Sequence, residues 1–191
     1  MDETVEMQIA EHLREIMGIL GIERTEGNKE TPKRIAKMWN REVFQNRTEE
    51  SLKALKAKMK VFDAEGYSHR LLKVKDIPFS SMCEHHFMPF IGTVTVGYVP
   101  DEKIIGLSKI PRIVHYFSKR PQLQERFTND VAQFLFEQVN ALAVFVEVKA
   151  KHTCVTCRGI ELPCETTTFV DLYDCDNAEA LAYYTEFNKR G

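Results

Sequence analysis

The chain has 191 residues, of which 43% are hydrophobic and 28% charged, a composition that fits one soluble domain with a helical extension and rules out a disordered or fibrous chain. With 26 basic residues against 28 acidic ones the net charge is −2, so no overall field draws the protein to nucleic acid or to an anionic membrane, and neither is expected as a partner. The acidic start Met1-Asp2-Glu3 lacks the basic end and apolar run of a signal peptide, and no run of about eighteen apolar residues occurs, so a cytoplasmic location is expected. There the five cysteines stay reduced, which favours metal binding or catalysis over a disulfide framework.

In chain order, Ile9, Leu13, Ile16, Met17 and Leu20 recur every three or four positions, predicting a helix from Val5 to about Gly18 or Gly21. Thr31-Pro32 predicts a second helix, with Thr31 as N-cap, Pro32 in the first turn and Ile35, Met38 and Trp39 as its buried stripe. Two extended segments follow, His69 to Ser80 and Phe87 to Val99. They bracket Cys83-Glu84-His85-His86, which places that polar cluster in a connection held by a rigid scaffold.

Ser108 is expected to cap a helix through Ile113, Val114 and Phe117, with Lys109 and Arg112 in its first turn. A longer helix, from about Gln122 to Asn140, would bury Phe127, Val131, Phe134, Leu135 and Val139. Strands are expected over Leu142 to Cys154 and Thr166 to Tyr173, then a helix through Leu181, Tyr184 and Phe187. This order predicts an α+β fold with a four-stranded antiparallel sheet and helices packed on one face. Such a sheet leaves edges and a second face to cover, and oligomerisation answers both needs.

The chemistry concentrates in Cys83-Glu84-His85-His86 and in His152-Thr153-Cys154. Zinc takes thiolate and imidazole ligands in a tetrahedron, and a catalytic ion keeps one corner for water. Cys83 and His86, three residues apart, can reach one ion from a single turn. A third ligand must come from the second cluster, where strand alternation would put His152 and Cys154 on one side and Cys157 on the other. Cys154 is the preferred ligand. Cys154-Val155-Thr156-Cys157 also reads as Cys-x-x-Cys, so a four-ligand structural site of Cys83, His86, Cys154 and Cys157, or a redox pair, stays open.

Cys83-Glu84-His85-His86, Gly106-Leu107-Ser108-Lys109, Gln122-Leu123-Gln124-Glu125-Arg126 and His152-Thr153-Cys154 with Arg158-Gly159 resemble GTP cyclohydrolase I in order and spacing, and Thr31 to Met38 resembles that family's helix before the sheet. The resemblance implies an N-terminal helical region over residues 1–50 and a T-fold (tunnelling fold) catalytic domain over 51–191. It implies a homodecamer of two pentameric rings with active sites at subunit interfaces. It also implies conversion of GTP and water to formate and 7,8-dihydroneopterin triphosphate. By the same resemblance Cys83, His86 and Cys154 hold Zn2+, His85 and His152 move protons, and Ser108 assists the later rearrangement. Glu125 and Gln124 would receive the purine edge, and Arg34, Lys37, Lys109, Arg112 and Arg158 the triphosphate, with Ser108 beside them. The chain departs from the family at Cys157, where an apolar or small residue is usual, and over Ile160 to Thr166.

Overall fold

The computed structural model describes residues 3–46 and 48–189, which fall into two compact units, Met1–Arg47 and Thr48–Gly191. In the first unit α1 (Glu3–Ile19) packs on α2 (Thr31–Met38), which runs on into a π turn at Trp39–Val43. Glu6 of α1 accepts hydrogen bonds from Arg41 Nε at 2.5 Å and from Asn40 Nδ2 at 3.0 Å. The expected stripe on α2 is displaced: Pro32, Ala36 and Asn40 are buried, whereas Met38 is exposed and Ile35 and Trp39 are half-buried. Thr31 is the first helical residue, and Glu30, which makes no side-chain cap bond, takes the cap position expected for Thr31. On α1, Ile16 and Leu20 are 49% and 67% exposed, so the apolar stripe read there is only partly covered.

The second unit opens with α3 (Glu49–Ala57), whose N-cap Thr48 accepts from Ser51 N–H, a helix that the sequence pattern did not announce. There follow β1 (Val61–Asp63), β2 (Leu72–Cys83), β3 (Pro89–Pro100), β4 (Lys103–Ile105), α4 (Lys109–Ser118), β5 (Pro121–Gln122), α5 (Gln124–Val139), β6 (Ala141–His152), α6 (Thr153–Thr156), β7 (Thr166–Tyr173) and α7 (Asn177–Lys189). The main sheet has the order β5-β2-β3-β6-β7, and β1 pairs with β4 in a separate ribbon. The four long strands are antiparallel as expected, and β5 adds two residues in parallel with the end of β2.

A bulge in β2 decides which side chains reach the core. Val74 pairs with Val96 and Ile77 with Val94, so Lys75 and Asp76 together oppose Thr95, and Asp76 takes a φ of 55°. The extra residue reverses the alternation. Leu72 and Val74 face the core before it, and Ile77, Phe79 and Cys83 after it. Phe90, Val94, Val96 and Tyr98 of β3 join Val144, Val146, Val148 and Ala150 of β6 in the same core, closed by Ile110, Ile113 and Phe117 of α4 and Phe127, Val131 and Leu135 of α5. Asn140 ends α5 in the left-handed region, φ 47°, a usual stop before a turn into a strand.

Helices were expected on one face, yet α7 lies against the other. Its Phe187 stacks on Phe145 with ring centres 5.0 Å apart, in a small cluster with Val99 and Ala143. Gly97 makes room for it, since a Cβ there would stand 2.7 Å from the Phe187 ring. Of the expected α7 stripe only Phe187 is buried, and Leu181 is 65% exposed.

Gly92 sets how closely β3 approaches β6: a Cβ there would stand 1.8 Å from the Lys149 carbonyl oxygen and 2.7 Å from Ala150 Cα. Backbone cannot yield as a side chain does. Gly92→Ala is therefore expected to cost at least about 2 kcal/mol, read as a lower urea midpoint at unchanged slope.

Candidate metal and acid–base centre

The first element of the site is the turn after β2. Cys83 N–H donates to Met88 O at 2.9 Å, and Phe87 N–H donates to Cys83 O at 2.8 Å. Phe87 closes the turn at φ 49°, a conformation that is unfavourable for a bulky side chain and persists only where surrounding contacts impose it. Cys83 is buried, and His85 and His86 are exposed at the tip.

The second element is the end of β6. The strand expected to continue through Cys154 stops at His152, and Thr153–Thr156 forms one helical turn, with Cys157 N–H bonded to Thr153 O at 2.9 Å. The Thr153 hydroxyl donates to Pro89 O at 2.6 Å, tying that turn to the start of β3. Strand alternation therefore does not place Cys154; the helical turn does, burying it beside Cys83. Cys157 is exposed and its sulfur lies 3.6 Å from the Thr156 hydroxyl.

Cys83, His152 and Cys154 offer ligand atoms all within 4.8 Å of one another. No other group of three or more potential metal ligands occurs among the described residues. Burial first, and then the adjoining Cys83 sulfur, push the Cys154 thiol up. Cys154 so placed resists ionisation in the absence of a cation, and a coordinating thiol is deprotonated outright. Two sulfurs and a nearby imidazole are a donor set that suits zinc. Cys157 is not in the group, so the structure does not assemble a four-ligand closed site.

His86 points elsewhere. The Arg158 guanidinium donates to its Nε2, and because a guanidinium only donates, His86 carries its lone pair there. His85 Nδ1 is 3.9 Å from the Cys83 sulfur.

His152 is held from two sides. Its ring stacks on Phe90, its partner in the β3–β6 register, with centres 4.6 Å apart and planes 2° from parallel. Its Nε2 lies 2.8 Å from Gln124 Oε1. Gln124 is 2% exposed, and its Nε2 donates to Val148 O at 3.1 Å and Thr166 O at 3.0 Å. Carbonyl oxygens only accept, so the amide cannot be reversed, and His152 must carry its hydrogen on Nε2. Nδ1 then has the lone pair. Burial pushes this imidazole down, offset in part by the Glu125 carboxylate, which keeps the neutral form in place near neutral pH.

A cleft of about 330 Å³ opens over these groups, lined among others by His85, His86, Glu125, Val155, Arg158 and Thr166. Glu125 is exposed in the first turn of α5. Gln124, expected to meet a purine edge, instead spends its amide on His152 and the sheet. Ser108, Lys109 and Arg112 lie at the start of α4 and do not line this cleft. Arg34 and Lys37 are exposed on α2, in the other unit. Phe90 and the carbonyls that lock Gln124 had no local sequence signal, because each acts across a strand pairing.

Two-dimensional 15N histidine spectra at neutral pH are expected to show His152 as the Nε2–H tautomer. In Gln124→Met, which takes a donor from the buried Val148 carbonyl and from that of Thr166, that preference should disappear and stability should fall by about 1–3 kcal/mol. An Nδ1–H signature in the unaltered protein would overturn the assignment.

The family model described as GTP cyclohydrolase I matches residues 9–181. A GTP cyclohydrolase 1 of Aquifex aeolicus is 44% identical over 138 residues, covering 72% of this chain and 70% of the relative. One from Caldanaerobacter subterraneus subsp. tengcongensis is 44% identical over 158 residues, covering 82% and 81%. Among solved structures, the apo archaeosine synthase QueF-Like aligns with 20% identity and a TM-score of 0.44 over 56% of this chain and 96% of that one. With a family model spanning nearly the whole chain and relatives this similar over most of their own length, this α+β chain belongs to the GTP cyclohydrolase I family.

Proposed function

We propose that the protein is a zinc-dependent GTP cyclohydrolase I, which takes GTP and water to formate and 7,8-dihydroneopterin triphosphate. The observation that carries this reading is the meeting of two buried thiols and an imidazole, from segments far apart in sequence, beneath a cleft that also presents a carboxylate and a guanidinium.

Cys83 and Cys154, with His86 as third ligand, would hold zinc. Bound there, zinc would supply the Lewis acidity that lowers the pKa of a water for attack at C8 of the guanine. The chain's own groups do the rest. His152, with its lone pair on Nδ1, takes up a proton there and delivers it to the imidazole ring of the purine, which makes C8 open to attack. His85, at the exposed tip of the Cys83 turn, is placed to relay protons with solvent. Glu125 offers carboxylate oxygens to the ring N–H and exocyclic amine of guanine, a donor pattern that adenine lacks. Gln124 serves this chemistry through His152.

Arg158 is the triphosphate cation on this cleft. Lys109 and Arg112 with Ser108 on α4 do not line it, which supports a site completed by a neighbouring subunit, and Arg34 and Lys37 on α2 belong to the other unit. Exposed Ile16, Ile19 and Leu20 on α1, and a β7 that has no second partner strand among the described residues, fit a homodecamer of two pentameric rings. Residues 51–191 then form the catalytic domain and 1–50 the helical extension.

The deciding experiment incubates the purified protein with GTP and follows formate, the fluorescence of the oxidised pterin, and zinc content. Zinc-loaded protein that forms neither product overturns the reading. Cys83→Ala and Cys154→Ala are expected to lose zinc and turnover together. His86→Ala should lose zinc, whereas His152→Ala should keep it and release formate about 10²–10⁴-fold more slowly. Zinc kept in His86→Ala and lost in His152→Ala would make His152 the ligand.

A further inference from the structure

Three residues beside the metal centre have no part in the chemistry above, yet they are joined in one network. Gln122 is completely buried, and its Nε2 donates to Phe117 O and to Asp130 Oδ2, both at 3.1 Å. The Phe117 carbonyl fixes the amide orientation, so Gln122 Oε1 must accept, and it does so from Arg126 Nε at 3.0 Å. Held there, Arg126 turns its terminal nitrogen onto the Glu84 carboxylate. Glu84 is tied a second time through its backbone, with its N–H donating to Gln122 O at 3.1 Å beside the parallel pair Cys83 and Gln122.

Glu84 stands between Cys83 and His85. The turn that carries them is exposed at its tip and passes through the unfavourable φ of Phe87, so it needs outside contacts to stay in place. Gln122, the last residue of β5, and Arg126, in the first turn of α5, grip one residue by main chain and side chain. A fork-shaped guanidinium fixes direction as well as distance.

We propose that Arg126 is a positioning residue, which through Glu84 holds the Cys83–His86 turn in the form that sets the Cys83 sulfur against Cys154. The part of this inference that concerns zinc rests on the metal-centre reading. The Arg126–Glu84 pair is 46% and 30% exposed, and such pairs add little to global stability. Removing it therefore separates positioning from folding.

The test uses the full chain with Arg126→Gln, Arg126→Lys and Glu84→Gln. Zinc affinity, by competition with a chromogenic chelator, is expected to weaken about 10–100-fold in Arg126→Gln and Glu84→Gln, at an almost unchanged urea midpoint for zinc-stripped Glu84→Gln, whereas Arg126→Gln also takes the donor from the buried Gln122 Oε1 and lowers the midpoint. The double variant should lose no more than either single one. A second readout needs no metal: in zinc-stripped protein, alkylation of Cys83 relative to Cys154, mapped by peptide mass, should rise several-fold. Arg126→Lys, which keeps the charge without the fork, should fall between.

Wild-type values of both zinc affinity and alkylation ratio in Arg126→Gln overturn the proposal. So does a raised KM for GTP with zinc affinity intact, which would make Arg126 a substrate contact. Should the unaltered protein bind no zinc, the metal centre itself is refuted, and the alkylation ratio alone decides the clamp. If Arg126→Gln fails to fold, Glu84→Gln carries the same measurements.

Discussion

The site depends on one strand serving as template for two others. The first residues of β3 pair on one side with the end of β2, Pro89 with Met82, and on the other with the end of β6, Phe90 with His152. Two cysteines far apart in sequence thereby arrive at the same end of the sheet, Cys83 one residue and Cys154 two residues beyond the last pair that each strand makes with β3. The bulge at Lys75 and Asp76 is part of this constraint, because without its extra residue Cys83 would face away from the core. So is Gly92, the only kind of residue that lets the two backbones come so close just before the site. The geometry of the centre is a matter of register before it is a matter of ligands.

Electrostatics follows from that placement. A chain of net charge −2 has no field to gather an anion, and burial works against ionisation of both the Cys154 thiol and the His152 imidazole, through opposite pKa shifts. Burial favours a neutral imidazole, which is the form able to receive a proton, and it disfavours thiolates, which only a cation can then stabilise. The same burial thus favours an imidazole with an open lone pair and a Cys154 thiol that needs a cation to ionise.

Much of this was legible in the sequence. Alternation and β-branching announced strands at His69 to Ser80 and Phe87 to Val99, which the structure places at Leu72–Cys83 and Pro89–Pro100, and one at Thr166–Tyr173, and a long apolar stripe announced α5. Cys83 and Cys154 were found because soft ligands in a polar setting are unusual for a core. What stayed hidden depends on contacts across the fold. Parity suggested that β6 runs to Cys154, but the Thr153 hydroxyl bonds to Pro89 and turns the chain into a helical loop instead. No sequence pattern reports the bulge, the stacking of Phe90 on His152, or the burial of Gln124, whose neighbours Glu125 and Arg126 are exposed on the same first turn. The cover on the second face was hidden as well, since it rests on a gap at Gly97 matched to a single ring.

The short segment from Gln122 to Arg126 shows how one stretch can serve several ends at once. Where β5 passes into α5, successive residues point in different directions, so Gln122 and Arg126 reach the Cys83 turn, Gln124 reaches His152, and Glu125 faces the cleft. The two halves of the centre, supplied by β2 and β6, are thus referred to one rigid element on the far side of the sheet edge. A displacement of α5 would move both halves together and keep their mutual distance, whereas a displacement of either strand alone would break hydrogen bonds to buried amides. The triphosphate cations of the proposed function obey no such constraint, since charge acts over several ångströms. On that proposal the reacting groups lie within one chain, and only the holding of the phosphates falls to an interface.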